Sequence, residues 1–178
     1  MRICMLTRTT RLHSKGGMED HIAMLCQGLA QSGHTIEIIT TSLPKTSPQR
    51  LVQKTEQKAG PGKIITHLIP GTTPRHYSTK WFAQSLRLFL ELNSRGRFDV
   101  VHGQSAAAFY VIRARMRGAH NVPTVSSLHG TIFDEIKTQL NLLSSPPSSF
   151  SDLKDSLIAP IKIAMHYHSL HFMDKEYI

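Results

Sequence analysis

The sequence predicts a doubly wound α/β domain built on a mostly parallel sheet. Short runs rich in β-branched residues alternate with longer segments of helical periodicity, and glycines follow the helical segments. This alternation is typical of β-α-β units, whose right-handed crossovers leave successive strands parallel. A length of 178 residues suits one such domain with a short appendage rather than two domains.

Five runs predict the strands, and three segments predict the helices between them. The strands are expected at residues 3–6, 35–40, 63–69, 98–102 and 124–128. The helices are expected at residues 19–31, 80–92 and 105–116, where apolar residues recur at helical spacing. Gly33 and Gly118 follow the first and third of these helices, as glycines at helix C-termini do.

Two stretches interrupt the alternation. Residues 42–62 are rich in Pro, Lys, Gln and Gly and are expected to form a surface loop. Residues 144–149 form a Ser/Pro segment typical of a hinge, and a helical pattern follows it. We therefore assign residues 1–143 to the α/β domain and residues 144–178 to the hinge-like segment with a C-terminal helix. Because this helical pattern stops without a polar tail, we expect the chain to be part of a longer protein.

Composition narrows the class of protein. Lys and Arg number 21 against 12 Asp and Glu, and the formal charge of +9 favours an anionic partner. Cys4 and Cys26 are too few for a disulfide framework and indicate a reducing compartment. No apolar run reaches the roughly 18 residues that span a bilayer, and the N-terminus does not resemble a signal peptide. These features argue against a secreted, fibrous or membrane-spanning protein.

Residues that follow the strands are the first candidates for a site, because ligands of doubly wound sheets bind beyond the carboxyl ends of the strands. A basic loop, residues 7–15, follows the first strand and leads to Gly16 and Gly17 at the start of a helix. Backbone N–H groups at such a helix start can hold a phosphate or diphosphate, and glycine permits close approach and positive φ. A plain tight turn explains the two glycines equally well.

Two histidines stand at the ends of neighbouring strands. His102 precedes Gly103, and His129 precedes Gly130. Both side chains are expected to face the same crevice, where imidazole can donate to a hydroxyl or phosphate oxygen near neutral pH. A purely structural role remains an equal alternative for both.

Several common site signatures are absent from the sequence. It contains no dinucleotide-binding or P-loop glycine motif and no nucleophile elbow. It contains no Asp-x-Asp, Cys-x-x-Cys or His-Glu-x-x-His, so we predict no metal site. His166, His168 and His171 are expected to lie on a solvated or interface face of the last helix instead.

Basic residues cluster on two of the predicted helices. Three arginines between residues 113 and 117 end the third helix, where the helix dipole favours cations. Lys80 and Arg87 flank an aromatic stripe on helix 80–92, which suits packing on the sheet better than a position on an anionic membrane, although both interpretations stay open. Aromatic residues are scarce on the other basic segments, so nucleic acid is not an expected partner.

Taken in order, these motifs resemble the N-terminal domain of the family 4, or group 1, glycosyltransferases. The resemblance covers about residues 1–135 well and the remainder loosely. It is carried by the first strand and by the segments GGMEDH at 16–21, LAQSGHTIEIIT at 29–40, FDVVHG at 98–103 and PTVSSLHG at 123–130.

The resemblance implies the acceptor-side, Rossmann-like half of the two-domain GT-B fold. Members are typically retaining, metal-independent enzymes that need no cofactor and transfer a sugar from a nucleotide-sugar to an acceptor. His129 matches the family's catalytic histidine beside the transferred sugar. Gly16, Gly17, His102 and Gly130 match positions that line the site for the donor diphosphate and the acceptor.

The implied partners are a nucleotide-sugar, a glycan or lipid acceptor, and the C-terminal domain of the same enzyme, which this chain lacks. In the family that domain carries most nucleotide contacts and two glutamates separated by seven residues. The loop of residues 8–15 also lacks the proline common in the family. The enzyme is expected in the cytoplasm, where peripheral contact with the inner membrane surface stays open. The alternative function is a non-catalytic binding module whose basic face holds an anionic partner or a membrane.

Overall fold

The computed structural model describes residues 1–43, 53–74 and 77–128. The strands are β1 Arg2–Leu6, β2 Thr35–Thr41, β3 Lys54–Ala59, β4 Gly62–Ile69, β5 Val100–Gln104 and β6 Thr124–Ser127. The helices are α1 Gly17–Gln31, α2 Thr79–Arg95 and α3 Phe109–Met116, the last preceded by a 3₁₀ turn at Ser105–Ala108. The predicted domain boundary, the Ser/Pro segment and the C-terminal helix lie outside the described residues.

The strands form one sheet in the order β3-β4-β2-β1-β5-β6. Every pair is parallel except β3 with β4, so the predicted doubly wound, mostly parallel fold is confirmed. From β1 the chain first builds one side of the sheet and then crosses to add β5 and β6 on the other. The strand order therefore reverses between β1 and β5, and this point is the topological switch point of the sheet.

The strand β3 corrects the prediction of a loop over residues 42–62. It pairs antiparallel with β4 across a tight turn in which Gly60 has a φ of +64°, a left-handed conformation that suits glycine. Its sequence, KTEQKA, lacks apolar alternation, because the strand lies at the edge of the sheet and most of its side chains are exposed. Charged residues at an edge also discourage pairing with other chains. No local sequence pattern could have distinguished it from a polar loop.

Helix α1 covers one face of the sheet with the apolar stripe that its sequence predicts. Apolar side chains of α1 pack there against side chains of β1 and β2 and form a hydrophobic core. Its buried residues are Met5, Ile22, Cys26, Ala30, Ile36 and Ile38. Burial of each large side chain contributes on the order of 1.5–3 kcal/mol, so this packing is the main support of α1.

Helix α2 packs on the protein through its aromatic stripe. Trp81, Phe82 and Phe89 are buried, and Phe89 stacks on Phe98 with ring centroids 5.8 Å apart. Ser78 begins the helix by accepting a hydrogen bond from the backbone N–H of Trp81 at 3.1 Å. The interpretation favoured for this helix, packing rather than a membrane-facing stripe, agrees with this burial.

A buried carboxylate, Glu37, joins three strands and a helix. Glu37 Oε1 lies 2.6 Å from Nη2 of Arg2, and Oε2 lies 2.8 Å from Nε2 of His67. Arg2 also donates through Nη1 to the carbonyl of Leu92 in the last turns of α2, at 3.1 Å. Burial raises the pKa of Glu37, but the hydrogen bonds from His67 and Arg2 outweigh it, and the net pKa lies below its ordinary value.

A glycine in β5 allows the 3₁₀ turn to approach the sheet closely. A Cβ at Gly103 would lie 2.5 Å from the Cβ of Ala108 and 3.4 Å from its backbone nitrogen. Only glycine fits at this position without a shift of the turn, so Gly103 sets the path of the chain directly after the switch point.

Replacing Arg2 by Met should destabilise the fold through Glu37. We expect a loss of about 3 kcal/mol, because the carboxylate stays buried without its main partner. Glu37 has a lowered pKa in the folded protein, so its contribution is present above pH 4.5 and is lost as the pH falls through the folded pKa. Urea unfolding at pH 7 and pH 4 measures both effects. Lys63→Met, which removes an exposed ion pair with Glu56, is the matched control and should cost about 1 kcal/mol or less.

Replacing Gly103 by Ala should lower the free energy of unfolding by about 2 kcal/mol through overpacking against Ala108. Gly28→Ala is the control, because a Cβ there meets nothing within 4 Å and the residue lies inside α1. That change should raise stability by about 0.5–1 kcal/mol. Equal effects of the two changes in chemical denaturation would contradict the close approach.

Candidate functional site

The candidate site lies where β1 and β5 end side by side. Leu6 pairs with Gly103 at the carboxyl edge of the sheet, so the loop after β1 and the 3₁₀ turn after β5 begin next to each other. Ligands of open α/β sheets bind in the crevice at such a reversal of strand order.

The loop after β1 is tied to the end of β2. The backbone N–H of Thr7 donates to the carbonyl of Ile39 at 3.1 Å. The hydroxyls of Thr40 and Thr41 both donate to the carbonyl of Arg8, at 3.1 and 2.7 Å. These bonds give the polar backbone of the loop partners and hold it against the sheet.

His13 ties the same loop to β2 a second time. The backbone N–H of Thr10 donates to Nδ1 of His13 at 3.1 Å, and Nε2 donates to the carbonyl of Thr41 at 3.0 Å. Burial lowers the pKa of His13, an effect that exceeds the opposing influence of its hydrogen bonds and of Glu19. Sequence reasoning missed this residue, because a histidine in a polar loop carries no signal of its contacts with a strand 28 positions away.

Gly16 and Gly17 form the start of α1, but not for the expected conformational reason. Gly16 is the N-cap residue with an extended φ of −175°, and neither glycine has a positive φ. A Cβ at Gly16 would lie 2.6 Å from Oε2 of Glu19, whereas a Cβ at Gly17 would meet nothing within 4 Å. Gly16 therefore leaves room for the carboxylate of Glu19 where it lies, and Gly17 leaves the helix start open.

Acidic residues in the first turn of α1 balance part of the charge of the basic loop. Glu19 is buried and accepts a hydrogen bond from the hydroxyl of Ser14 at 3.3 Å. Asp20 pairs with Arg11, N to O 2.6 Å, where both side chains are half exposed. Arg11 therefore has an acidic partner within the protein, and the crevice is less positive than the sequence of the loop alone indicates.

His102 lies inside β5 rather than at its end, because the strand continues to Gln104. Its Nε2 lies 2.8 Å from the hydroxyl oxygen of Ser127, the last residue of β6, and 3.3 Å from Nε2 of Gln104. Gln104 is itself buried and contacts the sulfur of Met5 at 3.2 Å. His102 therefore joins the ends of two strands at the carboxyl edge, which is also the edge of Gly16 and Gly17. His129 and Gly130 lie outside the described residues.

Tyr77 and Ser105 complete the crevice, and sequence reasoning did not single out either. The hydroxyl of Tyr77 donates to the carbonyl of Gln104 at 3.2 Å, and the guanidinium carbon of Arg8 lies 4.2 Å from the centroid of its ring. Ser105 has a φ of +50°, a strained conformation for a residue other than glycine. A lone tyrosine and a serine among alanines have no local pattern that would reveal these positions.

Other chemistries find little support in the part of the chain that the structure describes. Burial raises the pKa of the Cys4 thiol and brings that of Cys26 to about 12, so neither is a ready nucleophile. No group of three or more His, Cys, Asp or Glu side chains there could hold a metal ion. No described helix combines the length and the apolar character needed to cross a membrane.

Comparison with known proteins matches the chain to one family. The profile of Glycosyltransferase Family 4 matches residues 15–174, which is most of the chain. Comparison with the sequences of curated proteins gives no significant match.

Among solved structures, a sucrose-phosphate synthase from Thermosynechococcus elongatus is similar, with a TM-score of 0.51 and 13% sequence identity. The alignment covers 89% of this chain and 39% of that one, so the chain spans less than half of the synthase. A second sucrose-phosphate synthase structure from the same organism, recorded as twinned, aligns over 100% of both chains with a TM-score of 0.43 and 10% identity. The first of these likenesses supports the Rossmann-like fold and nothing narrower.

Replacing Ser105 by Gly should stabilise the protein, because glycine adopts a φ of +50° without the steric cost of a Cβ. We expect a gain of up to about 1 kcal/mol in thermal or urea unfolding. Ser94→Gly, the same change at an ordinary position in α2, should instead lose about 0.5 kcal/mol. A loss of stability in both variants would show that Ser105 carries no backbone strain.

Proposed function

The chain belongs to glycosyltransferase family 4, and on this basis we propose that it forms the acceptor-side half of a retaining, metal-independent glycosyltransferase. The enzyme transfers a sugar from a nucleotide-sugar to a glycan or lipid acceptor, in the synthesis of a polysaccharide, glycolipid or lipid-linked glycan. The match to the family over residues 15–174 carries this proposal, because it includes all five residues that the sequence singles out.

The start of α1 is the proposed contact with the donor diphosphate. The first backbone N–H groups of a helix are unpaired within the helix and lie at the positive end of its dipole. Glu19 packs against Gly16, whereas Gly17 is exposed, so the side of the helix start at Gly17 is the part available to an anion. Donors placed there would stabilise the charge that develops on the leaving diphosphate.

His129 is the proposed catalytic residue, and Gly130 allows the backbone beside it to approach the substrate. An imidazole next to the transferred sugar can donate to a sugar hydroxyl and orient the reacting face. His102 is proposed to line the same crevice. Its contact with Ser127, two residues before His129 in the chain, supports a role in holding the end of β6 where His129 follows.

The remaining parts of the reaction are assigned to a second domain outside this chain. That domain would supply most contacts to the nucleotide and the two family glutamates, and closure of the two domains would complete the site. We propose a cytoplasmic enzyme that acts at the inner membrane surface when its acceptor is lipid-linked. Because the aromatic stripe of α2 is buried, any membrane contact by this helix would rely on its exposed basic residues, Lys80 and Arg87.

Family membership argues against the alternative of a non-catalytic binding module. The crevice also gathers a helix start, a histidine and a strained serine at the switch point, and such clustering is typical of a site where chemistry occurs. A module that uses only a basic face would not need this arrangement.

Replacing His129 by Ala in the full-length enzyme should reduce kcat by about 10²-fold or more, because the group that orients the sugar is lost. Release of nucleoside diphosphate from a panel of UDP- and GDP-sugars measures the change, and the thermal unfolding temperature should stay the same. His34→Ala, at the opposite edge of the sheet, is the control and should retain wild-type activity.

The same assay tests the other parts of the proposal. Activity should survive EDTA, and the product should keep the anomeric configuration of the donor. Turnover near that of the wild type in His129→Ala would contradict the catalytic assignment. Inversion at the anomeric carbon would contradict the retaining mechanism, and loss of activity in EDTA would contradict metal independence.

A further inference from the structure

We propose that His13 is a positioning residue whose neutral ring, protonated at Nε2 only, holds the glycine loop in the conformation that presents the start of α1 to the donor. The glycine loop is defined as residues 7–17. Protonation of the ring at Nδ1 would release the loop, so donor binding should weaken in acid. The role in donor binding rests on the function proposed above, whereas the restraint on the loop does not.

The backbone contacts of His13 fit one protonation state. A backbone N–H cannot accept a hydrogen bond, so the nitrogen that faces Thr10 N–H at 3.1 Å, Nδ1, must carry a lone pair. A carbonyl cannot donate, so the nitrogen that faces the carbonyl of Thr41 at 3.0 Å, Nε2, must carry the hydrogen. The hydroxyl oxygen of Thr41, 3.2 Å from Nε2, can share that hydrogen because its own hydrogen goes to Arg8.

These contacts form one continuous brace from β2 to α1. Thr41 in β2 holds His13, and the ring of His13 holds the backbone of Thr10. The carbonyl of Thr10 accepts from the backbone N–H groups of His13 and Ser14, at 2.9 and 3.4 Å. Ser14 then donates through its hydroxyl to Glu19 in the first turn of α1. The position of Gly16 and Gly17 therefore depends on the ring of His13, three residues before the first of them.

Protonation would break this brace at its centre. A hydrogen on Nδ1 would have to turn to the hydroxyl oxygen of Thr10, 3.2 Å away, and the hydrogen bond from the backbone N–H of Thr10 to Nδ1 would be lost. The groups around the ring are the backbone and hydroxyl groups of Thr10 and Thr41, the backbone of Ser42 and the carboxylate of Glu19. Glu19 favours the charged ring, but the loss of hydration outweighs it, in agreement with the geometry.

The sign of the pH dependence follows from the lowered pKa of His13. At a pH between the lowered pKa and the ordinary pKa of about 6.5, the His13 ring is protonated when the loop is released and neutral when the contacts of the ring are made. The brace is therefore fully effective above pH 6.5 and weakens as the pH falls below it. Below the lowered pKa the loss is complete.

His120 offers a matched control at the opposite edge of the sheet. Its Nδ1 accepts from the backbone N–H of Val122 at 3.2 Å, and its Nε2 lies 2.9 Å from the carbonyl of Val111. The ring makes the same pair of contacts as that of His13, but it lies beyond the end of α3 and outside the crevice. A general effect of removing a histidine that joins two backbone segments should appear when either His13 or His120 is replaced. An effect on the glycine loop should appear only when His13 is replaced.

Histidine nitrogen NMR and amide hydrogen exchange on the chain test the brace. At pH 7.5 we expect the His13 ring to carry hydrogen on Nε2 alone. The amides of Thr10, His13 and Ser14 should exchange about five- to tenfold faster in His13→Phe, the loss expected for about one net hydrogen bond. In His13→Asn, whose Oδ1 can still accept from Thr10, the acceleration should be smaller. His120→Asn should leave the three amides unchanged.

Binding of sulfate, whose charge is constant between pH 5 and 8, tests the link to the anion site. The amide signals of Gly16 and Gly17 should shift with sulfate, and the Kd should rise about fivefold or more from pH 7.5 to 5.5 in the wild type and in His120→Asn. The asparagine in His13→Asn does not titrate in this range. Sulfate should therefore bind more weakly to this variant than to the wild type at pH 7.5, and its Kd should change less with pH.

The two proposals fail in different ways. If sulfate never shifts Gly16 or Gly17 in the wild type, the diphosphate assignment is wrong, and the exchange data still decide the role of His13. Equal exchange of the three amides in the wild type and in both His13 variants would overturn the brace. A ring that carries hydrogen on Nδ1 at pH 7.5 would overturn it as well. If His13→Phe does not fold, His13→Asn and the wild-type pH series provide the same comparison.

Discussion

The burial of one ionised carboxylate constrains the centre of this domain. Glu37 cannot leave the protein interior without breaking β2, and it cannot stay there without partners, because an unpaired buried charge costs several kcal/mol. Its partners come from the first residue of β1, from β4 and, through Arg2, from the last turns of α2. The same contacts hold three neighbouring parallel strands and the helix that crosses to β5 in one arrangement. The switch point depends on that arrangement. Helix α2 must return the chain to the amino edge of the sheet before β5 can pair in parallel with β1.

At the carboxyl edge, the polar groups of the loop after β1 are satisfied mainly by β2 and not by the strand that the loop leaves. Thr40 and Thr41 hold the carbonyl of Arg8, and His13 holds the loop a second time. The start of α1 is therefore positioned by a neighbouring strand. An anion bound at this helix start, as proposed, would gain from donors that are already in place, because preorganised groups need not reorient when charge develops. The ion pair of Arg11 with Asp20 shows that part of the positive charge on this loop is paired within the protein.

The outcome for each candidate residue follows from how local its contacts are. The position of Gly16 and Gly17 at a helix start was predictable, because strand, loop and helix follow one another in the sequence. Their conformation was not, since Gly16 is extended and neither glycine has the positive φ that glycine permits. His102 was expected at the end of its strand, and it lies within β5 because pairing with β6 carries the strand two residues further, to Gln104. His13, Tyr77 and Ser105 could not be found at all, because their partners or backbone strain come from distant elements.

The sequence by itself determined the fold class, the family and the edge of the sheet at which the candidate residues lie. Each of these follows from patterns with a short range: apolar periodicity, glycines at helix ends and motifs that follow strands. Only the tertiary structure decided that residues 54–59 form a polar edge strand, that Gly16 and Gly17 need no positive φ, and that His13 braces the loop. These features depend on pairing between residues far apart in the chain, where the free energy of a contact is set by the neighbour and not by the local sequence.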